Sequence, residues 1–143
     1  MLISEILRRK GNDVATVTPE TTVAEVVASL DERGVGALVV SSDGQTVDGI
    51  ISERDIVRAL ARHGQMAVDQ TASDLMTREV VTCEPGATID QLMADMNHGR
   101  FRHVPVTEQG RLVGIVSIGD VVNARVRELE TETHQLTNYI SGY

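Results

Sequence analysis

The chain has 143 residues, 41% of them hydrophobic and only 2% aromatic, with a formal net charge of -8. This length makes one ordinary domain or two very small ones around an aliphatic core; no apolar run approaches a membrane span, and MLISEILRRKGND places its charges after its apolar residues, so neither a span nor a signal peptide is expected. The acidic balance argues against a nucleic-acid partner, whose phosphates demand a basic face, and any anionic ligand needs a local cluster of cations.

Leu2 to Arg9 reads as a short helix with Ile3, Ile6 and Leu7 on one face, ended by Lys10-Gly11-Asn12-Asp13. Val14 to Thr18 reads as a strand. Pro19-Glu20-Thr21-Thr22 then turns into a helix from Val23 to Arg33, whose Val23, Val26, Val27 and Leu30 keep helical spacing and whose cap is Thr21 or Thr22. Gly34 closes that helix. Ala37 to Val40 is a predicted strand, Ser41 to Gln45 a turn, Val47 to Ser52 a further strand, and a helix follows towards Leu60. The polar stretch from His63 to Thr71 is a short connector.

The series then repeats. Ser73-Asp74-Leu75-Met76 echoes Ser4-Glu5-Ile6-Leu7. Pro85 answers Pro19 and Thr88-Ile89 answers Thr22-Val23, both at an offset of 66 (85 minus 19, 88 minus 22). Leu92, Met93 and Met96 fall where Val26, Val27 and Leu30 fell, and Val104 and Val106 match Leu38 and Val40. A fixed period of this length marks a duplicated supersecondary unit, strand-helix-strand-strand-helix in each copy. Neither copy can bury both faces of a three-stranded sheet alone, so the two are expected to pack sheet against sheet. The predicted division is residues 1–70 and 71–143. Cys83, the single cysteine, lies in a predicted strand of the second copy and is expected to be an inert buried thiol. A lone cysteine excludes an internal disulfide and a cysteine-rich zinc site, and it leaves the cytoplasm as the expected compartment. His63, His98 and His134 are too scattered to suggest a metal site.

Each copy ends in the same pattern: Gly49-Ile50-Ile51-Ser52-Glu53-Arg54-Asp55 and Gly114-Ile115-Val116-Ser117-Ile118-Gly119-Asp120. It reads as a buried strand that stops at the serine and turns directly into a helix, with the serine as N-cap and the aspartate at the third helical position. Such a pair resembles a capping box. A helix start also gathers unpaired amides and positive dipole, a seat for phosphate, and a carboxylate one turn in can accept both hydroxyls of a ribose. Capping and binding are compatible.

The duplication, the twin Gly-x-x-Ser-x-x-Asp endings, Pro19 and Pro85, and the strand Phe101-Arg102-His103-Val104-Pro105-Val106 together resemble a tandem pair of cystathionine β-synthase (CBS) domains. The resemblance runs from about Ile3 to Arg125 and is nearest to small stand-alone bacterial members of the family. It implies an α+β fold of two βαββα repeats packed sheet to sheet about a pseudo-two-fold axis, plus a C-terminal helix. It also implies a non-catalytic sensor of adenosine-containing ligands (AMP, ADP, ATP, NAD or S-adenosylmethionine) held in two clefts between the repeats. Carried over residue by residue, one cleft (A) takes Ile115, Ser117 and Asp120 from the second repeat, with Arg102 and His103 towards phosphate and Val14, Ala15 and Val35 framing the adenine. The other (B) takes Ile50, Ser52, Arg54 and Asp55 from the first repeat, with Val80, Val81 and Phe101 closing the base pocket. The first repeat has Gly36-Ala37 where the second has Arg102-His103, and Arg54 where the second has Gly119, so each cleft draws its cation from a different place. Arg102, in or beside an apolar strand, is expected to need a partner.

Beyond the repeats, Val122, Val126, Leu129, Thr133, Leu136 and Ile140 step by four and three, a heptad-like seam flanked by Glu128, Glu130 and Glu132. A helix here is expected to pair across a homodimer that passes the signal to a protein target. An enzyme is disfavoured, because no serine or cysteine has an evident base partner and no metal-ligand spacing is present. A purely structural interaction module, with the Ser-x-x-Asp pairs as caps alone, is the competing reading.

Overall fold

The computed structural model describes residues 1–11 and 13–141. The first repeat supplies helix α1 (Ile3–Lys10), strand β1 (Thr16–Val17), helix α2 (Val23–Arg33), strands β2 (Ala37–Val40) and β3 (Gly49–Ser52), and helix α3 (Glu53–His63). A 3-10 turn over Gly64–Asp69 leads to α4 (Ala72–Leu75), α5 (Ile89–Gly99), strands β4 (His103–Glu108) and β5 (Arg111–Ser117), and the long α6 (Ile118–Ile140).

Local chemistry accounts for the boundaries. Thr22 and Thr88 accept the amides of Glu25 and Gln91 and so start α2 and α5 at equivalent places. Gly34 ends α2 in the left-handed conformation, where a side chain is strained; Arg100 takes the same conformation after α5 without being glycine. The first sheet has the order β1-β2-β3, β1 parallel to β2 and β2 antiparallel to β3. The second holds only β4 and β5, antiparallel, with a bulge between Val106 and Thr107.

The opening strands are therefore shorter than the sequence predicts. Val14 to Thr18 contracts to Thr16–Val17. Its counterpart in the second copy shrinks to a single parallel bridge, in which the Cys83 amide donates to Pro105 O (3.1 Å) and the Thr107 amide to Cys83 O (2.8 Å). Cys83 is half-buried, and that burial pushes its thiol up to about 11, which leaves it unreactive.

The two cores exchange their opening helices. Ile3, Ile6 and Leu7 of α1 are buried with Ile89, Leu92, Met96, Val104, Val106 and Val116 of the second repeat. Ala72, Leu75 and Met76 pack with Val23, Val26, Leu38 and Ile51 of the first. Backbone bonds seal both exchanges: the amides of Ile3 and Ser4 donate to Ala87 O and Pro85 O, and those of Ala72 and Ser73 to Thr21 O and Pro19 O. Gly49 and Gly114 make room for this. A methyl group on Gly49 would meet Met76 Sδ at 2.5 Å and Thr77 O at 2.9 Å; on Gly114 it would meet Leu7 Cδ2 at 2.5 Å.

Leu38 and Val40 point into the first core, while Ala37 and Val39, also buried, alternate to the other face of β2 and belong to neither core. The second repeat approaches that face. The imidazole of His103 would lie 3.5 Å from a methyl group on Gly36, and the Leu112 amide donates to Gln45 O across the repeats (2.7 Å). The result is the α+β arrangement of two repeats packed sheet to sheet, with α6 running past the second. The first turns of α6 pack on the second repeat through Val121 and Ala124 and through the Met1–Glu128 and Arg125–Asp90 ion pairs, whereas Val122, Val126, Leu129, Leu136 and Ile140 face solvent. Among the described residues no helix is long and apolar enough to cross a membrane.

Candidate functional site

Both Ser-x-x-Asp patterns close as full capping boxes. Ser52 Oγ accepts from the Asp55 amide (3.3 Å) and the Ser52 amide donates to Asp55 Oδ2 (2.9 Å). Ser117 Oγ accepts from the Asp120 amide (3.1 Å) and the Ser117 amide donates to Asp120 Oδ2 (2.9 Å). A third box, Thr71 with Asp74, starts α4. That box does not belong to the repeated Ser-x-x-Asp pattern, so capping alone does not mark a site.

The two strand ends are related by the repeat. The Glu53 amide donates to Gly36 O (2.9 Å) and the Ile118 amide to Arg102 O (2.8 Å), so each helix start is tied to the residue just before the neighbouring strand. Around Asp120, His103 is paired directly across from Ser117 in the β4–β5 ladder. Glu53 Oε1 and the His103 ring both converge on the bare face of Gly36, at 3.4 and 3.5 Å from where a Cβ would stand. A methyl group there would make ordinary contact with both, so the two groups close around Gly36 without excluding a small side chain.

Lys10 completes this group, and sequence reasoning assigned it only to the end of a helix. Its Nζ donates to Asp120 Oδ2 at 2.6 Å and to Ile115 O at 2.8 Å. Burial opposes ionisation of Asp120, but the Lys10 hydrogen bond, the Ser117 amide and the Lys10 charge outweigh it and hold the carboxyl below its usual range. His103 moves the other way from protonation. Burial lowers its pKa, the Lys10 charge adds to that, and Glu53 and Asp120 only partly compensate, so the ring is neutral at pH 7. The signal for Lys10 was absent from local sequence, because it arises from the exchange of α1 onto the second repeat.

Around Asp55 the same frame is filled differently. Ile50 lies on β3 and exchanges backbone bonds with Thr77 (3.0 and 2.9 Å), which brings the segment before Val80 and Val81 alongside the Ser52 helix start. Ser52 Oγ also donates to Asp55 Oδ2 (3.0 Å). Val80 is half-buried and Val81 exposed. Phe101 lies against Gly99 and the core of its own repeat. Arg54 is exposed.

The residues expected to frame cleft A divide. Ala15 packs against the first core, Val14 is half-buried and Val35 is exposed beside Gly36. Arg102 corrects an expectation: it precedes β4 and is exposed, so water solvates the guanidinium that was expected to need a protein partner. Among the described residues no cluster of His, Cys, Asp or Glu could hold a metal ion.

This geometry, two exchanged repeats with matched Ser-x-x-Asp helix starts at their junction, defines a paired-repeat module. The CBS domain family model matches residues 3–62 and 72–127, and the chain belongs to that family. The CBS-domain containing protein ATU1752 from Agrobacterium tumefaciens is 49% identical, with a TM-score of 0.84 over 87% of this chain and 99% of that one. The mitochondrial CBS domain-containing protein CBSX3 of Arabidopsis thaliana is 36% identical over 98% of this chain and 72% of its own length. The CBS domain pair of protein MJ0100, solved in complex with 5'-methylthioadenosine and S-adenosyl-L-methionine, is 25% identical, with a TM-score of 0.79 over 90% of this chain and 98% of that one.

Proposed function

We propose that this chain is a non-catalytic sensor that binds an adenosine-containing ligand (AMP, ADP, ATP, NAD or S-adenosylmethionine) in clefts between its two CBS repeats. Ligand binding alters a homodimer that signals to a protein target in the cytoplasm. The observation that carries the reading is the pair of carboxylates, Asp55 and Asp120. Each sits one turn inside a helix start at the repeat junction, beside a segment that arrives from the other side of the exchange. A ribose diol suits such a carboxylate, the helix amides and dipole suit phosphate, and the neighbouring valines suit a base. Binding between repeats gives the ligand differential contact with open and closed arrangements, which is what a sensor requires. The exposed seam Val122, Val126, Leu129, Leu136 and Ile140 supports pairing of α6 with a second copy.

Thermal shift against AMP, ADP, ATP, NAD and S-adenosylmethionine tests the reading. A ligand at a hundred times its Kd adds about 2.7 kcal/mol, a rise in Tm on the order of 8 °C for a chain of this size. The competing reading, an interaction module without a nucleotide, draws on the fact that both Ser-x-x-Asp pairs are already satisfied as caps. It predicts an unmoved Tm with every ligand in the panel.

A further inference from the structure

The carboxylates of Asp55 and Asp120 occupy equivalent positions and differ in one partner. Asp120 Oδ2 accepts the Ser117 amide and the Lys10 ammonium. Asp55 Oδ2 accepts the Ser52 amide and the Ser52 hydroxyl. The difference extends to the strand beside each. Ile50 O is taken by the Thr77 amide, whereas its counterpart Ile115 O is taken by Lys10 Nζ. Helix α1 is eight residues long and ends at Lys10, while α4 is four residues long and stops at Leu75, and it is the longer helix that brings a cation onto its motif.

A carboxylate oxygen offers about two lone pairs. Those of Asp120 Oδ2 are both engaged, so a ribose that chelates both oxygens must displace one donor. The Ser117 amide is fixed by the start of α6; the Lys10 ammonium rides on a flexible four-carbon stem and is the one that can leave. The surroundings decide what its departure costs. Glu53 faces His103 across Gly36, the ring is neutral, and the chain carries a net charge of -8. A released ammonium has only the single charge of the Glu53 carboxylate nearby as an alternative, and a ligand phosphate, with nearly two negative charges, competes for it far better than a neutral ligand can.

We infer that Lys10 is a specificity-determining residue of the Asp120 cleft: it holds the carboxylate while the cleft is empty and passes to the phosphate of an incoming ligand, so that phosphorylated adenosine ligands are favoured over bare nucleosides. This rests on the adenosine-binding reading above. A neutral nucleoside breaks the Lys10–Asp120 pair and offers nothing in return; a nucleotide exchanges one ion pair for another.

Calorimetric titration of AMP and adenosine against the intact chain, Lys10→Met and Lys10→Arg tests it. Methionine keeps most of the stem without the charge, and Lys10 is exposed, so circular dichroism should show both variants folded. The expected result is an AMP-to-adenosine affinity ratio that falls at least about tenfold in Lys10→Met, through weaker AMP and tighter adenosine binding, and that is largely kept in Lys10→Arg. A ratio unchanged within about twofold in Lys10→Met, with both ligands still bound, overturns the inference and leaves the adenosine reading intact. If the unaltered chain does not bind AMP, the inference falls; if it also binds none of ADP, ATP, NAD and S-adenosylmethionine, the adenosine reading falls with it.

Discussion

The clefts around Asp55 and Asp120 start from one seven-residue pattern and end in different electrostatic states. Around Asp55 the carboxylate meets only its own N-cap residue, and the neighbouring strand edge is closed by the backbone of Thr77. Around Asp120 a lysine from 110 positions earlier in the chain performs both tasks at once. The capping box is local and so is copied with the repeat; the cation is not, because it depends on the length of the helix that crosses over. Duplication followed by one longer helix is enough to make two chemically distinct sites from a symmetric frame.

The largest effect should come from breaking the exchange itself. Ile3 is fully buried in the second repeat's core, and Ile3→Ala should cost about 3 kcal/mol in urea unfolding through the cavity it leaves. The loosened α1 should also release Lys10, so the Asp120 cleft should lose its preference for AMP while the Asp55 cleft is unaffected.

The two close-packed glycines sharpen the comparison. Gly49→Ala pushes into the Thr77 backbone oxygen, which is held by the exchange, and should cost about 2 to 3 kcal/mol. Gly114→Ala meets the tip of the Leu7 side chain, which can turn aside, and should cost about 1 kcal/mol. Equal losses in urea melts would show that the two exchanged segments are held with equal rigidity.

Asp120→Asn and Asp55→Asn compare the carboxylates directly. Each should weaken an adenosine ligand in its own cleft by at least about tenfold, since a charge-assisted bond is worth about 1.5 to 3 kcal/mol. Asn can still accept at the cap, so Tm should change little, and the exposed Lys10 pair adds little to stability. Unchanged affinity in both variants would reduce the aspartates to caps. Separately, charges placed in the exposed seam by Leu129→Glu with Leu136→Glu should lighten the particle in sedimentation and spare ligand binding; an unchanged mass would rule α6 out as the pairing helix.

The smallest effect is the dependence on pH. His103 begins with a lowered pKa, because burial and the Lys10 charge disfavour imidazolium while Glu53 and Asp120 favour it and exposed Arg102 opposes. A bound phosphate adds negative charge and raises that pKa, so the complex takes up a proton that the empty cleft lacks. By linkage AMP should bind more tightly as pH falls from about 8 to about 6, until the phosphate's own second proton, pKa about 6, opposes the trend. Adenosine should show little of this, and His103→Gln should flatten the AMP curve. Parallel curves for the two ligands would make His103 a packing residue.

Much of the molecule is written in short-range pattern. The bounds of α2, the N-caps Ser52 and Ser117, the aspartates at the third helical position and the duplication itself follow from apolar periodicity and capping chemistry, which act within a few residues. The second copy of the opening strand was not legible, because Cys83 looks like a strand residue yet finds only one bridge to the bulged β4. Nor was the role of Lys10. The apolar face of Ile3, Ile6 and Leu7 specifies that α1 must be buried, but the repeats present two similar seats, and nothing local says which one it takes. That choice belongs to the tertiary structure. It decides which repeat each opening helix completes, and with it which of two identical aspartates receives a positive charge.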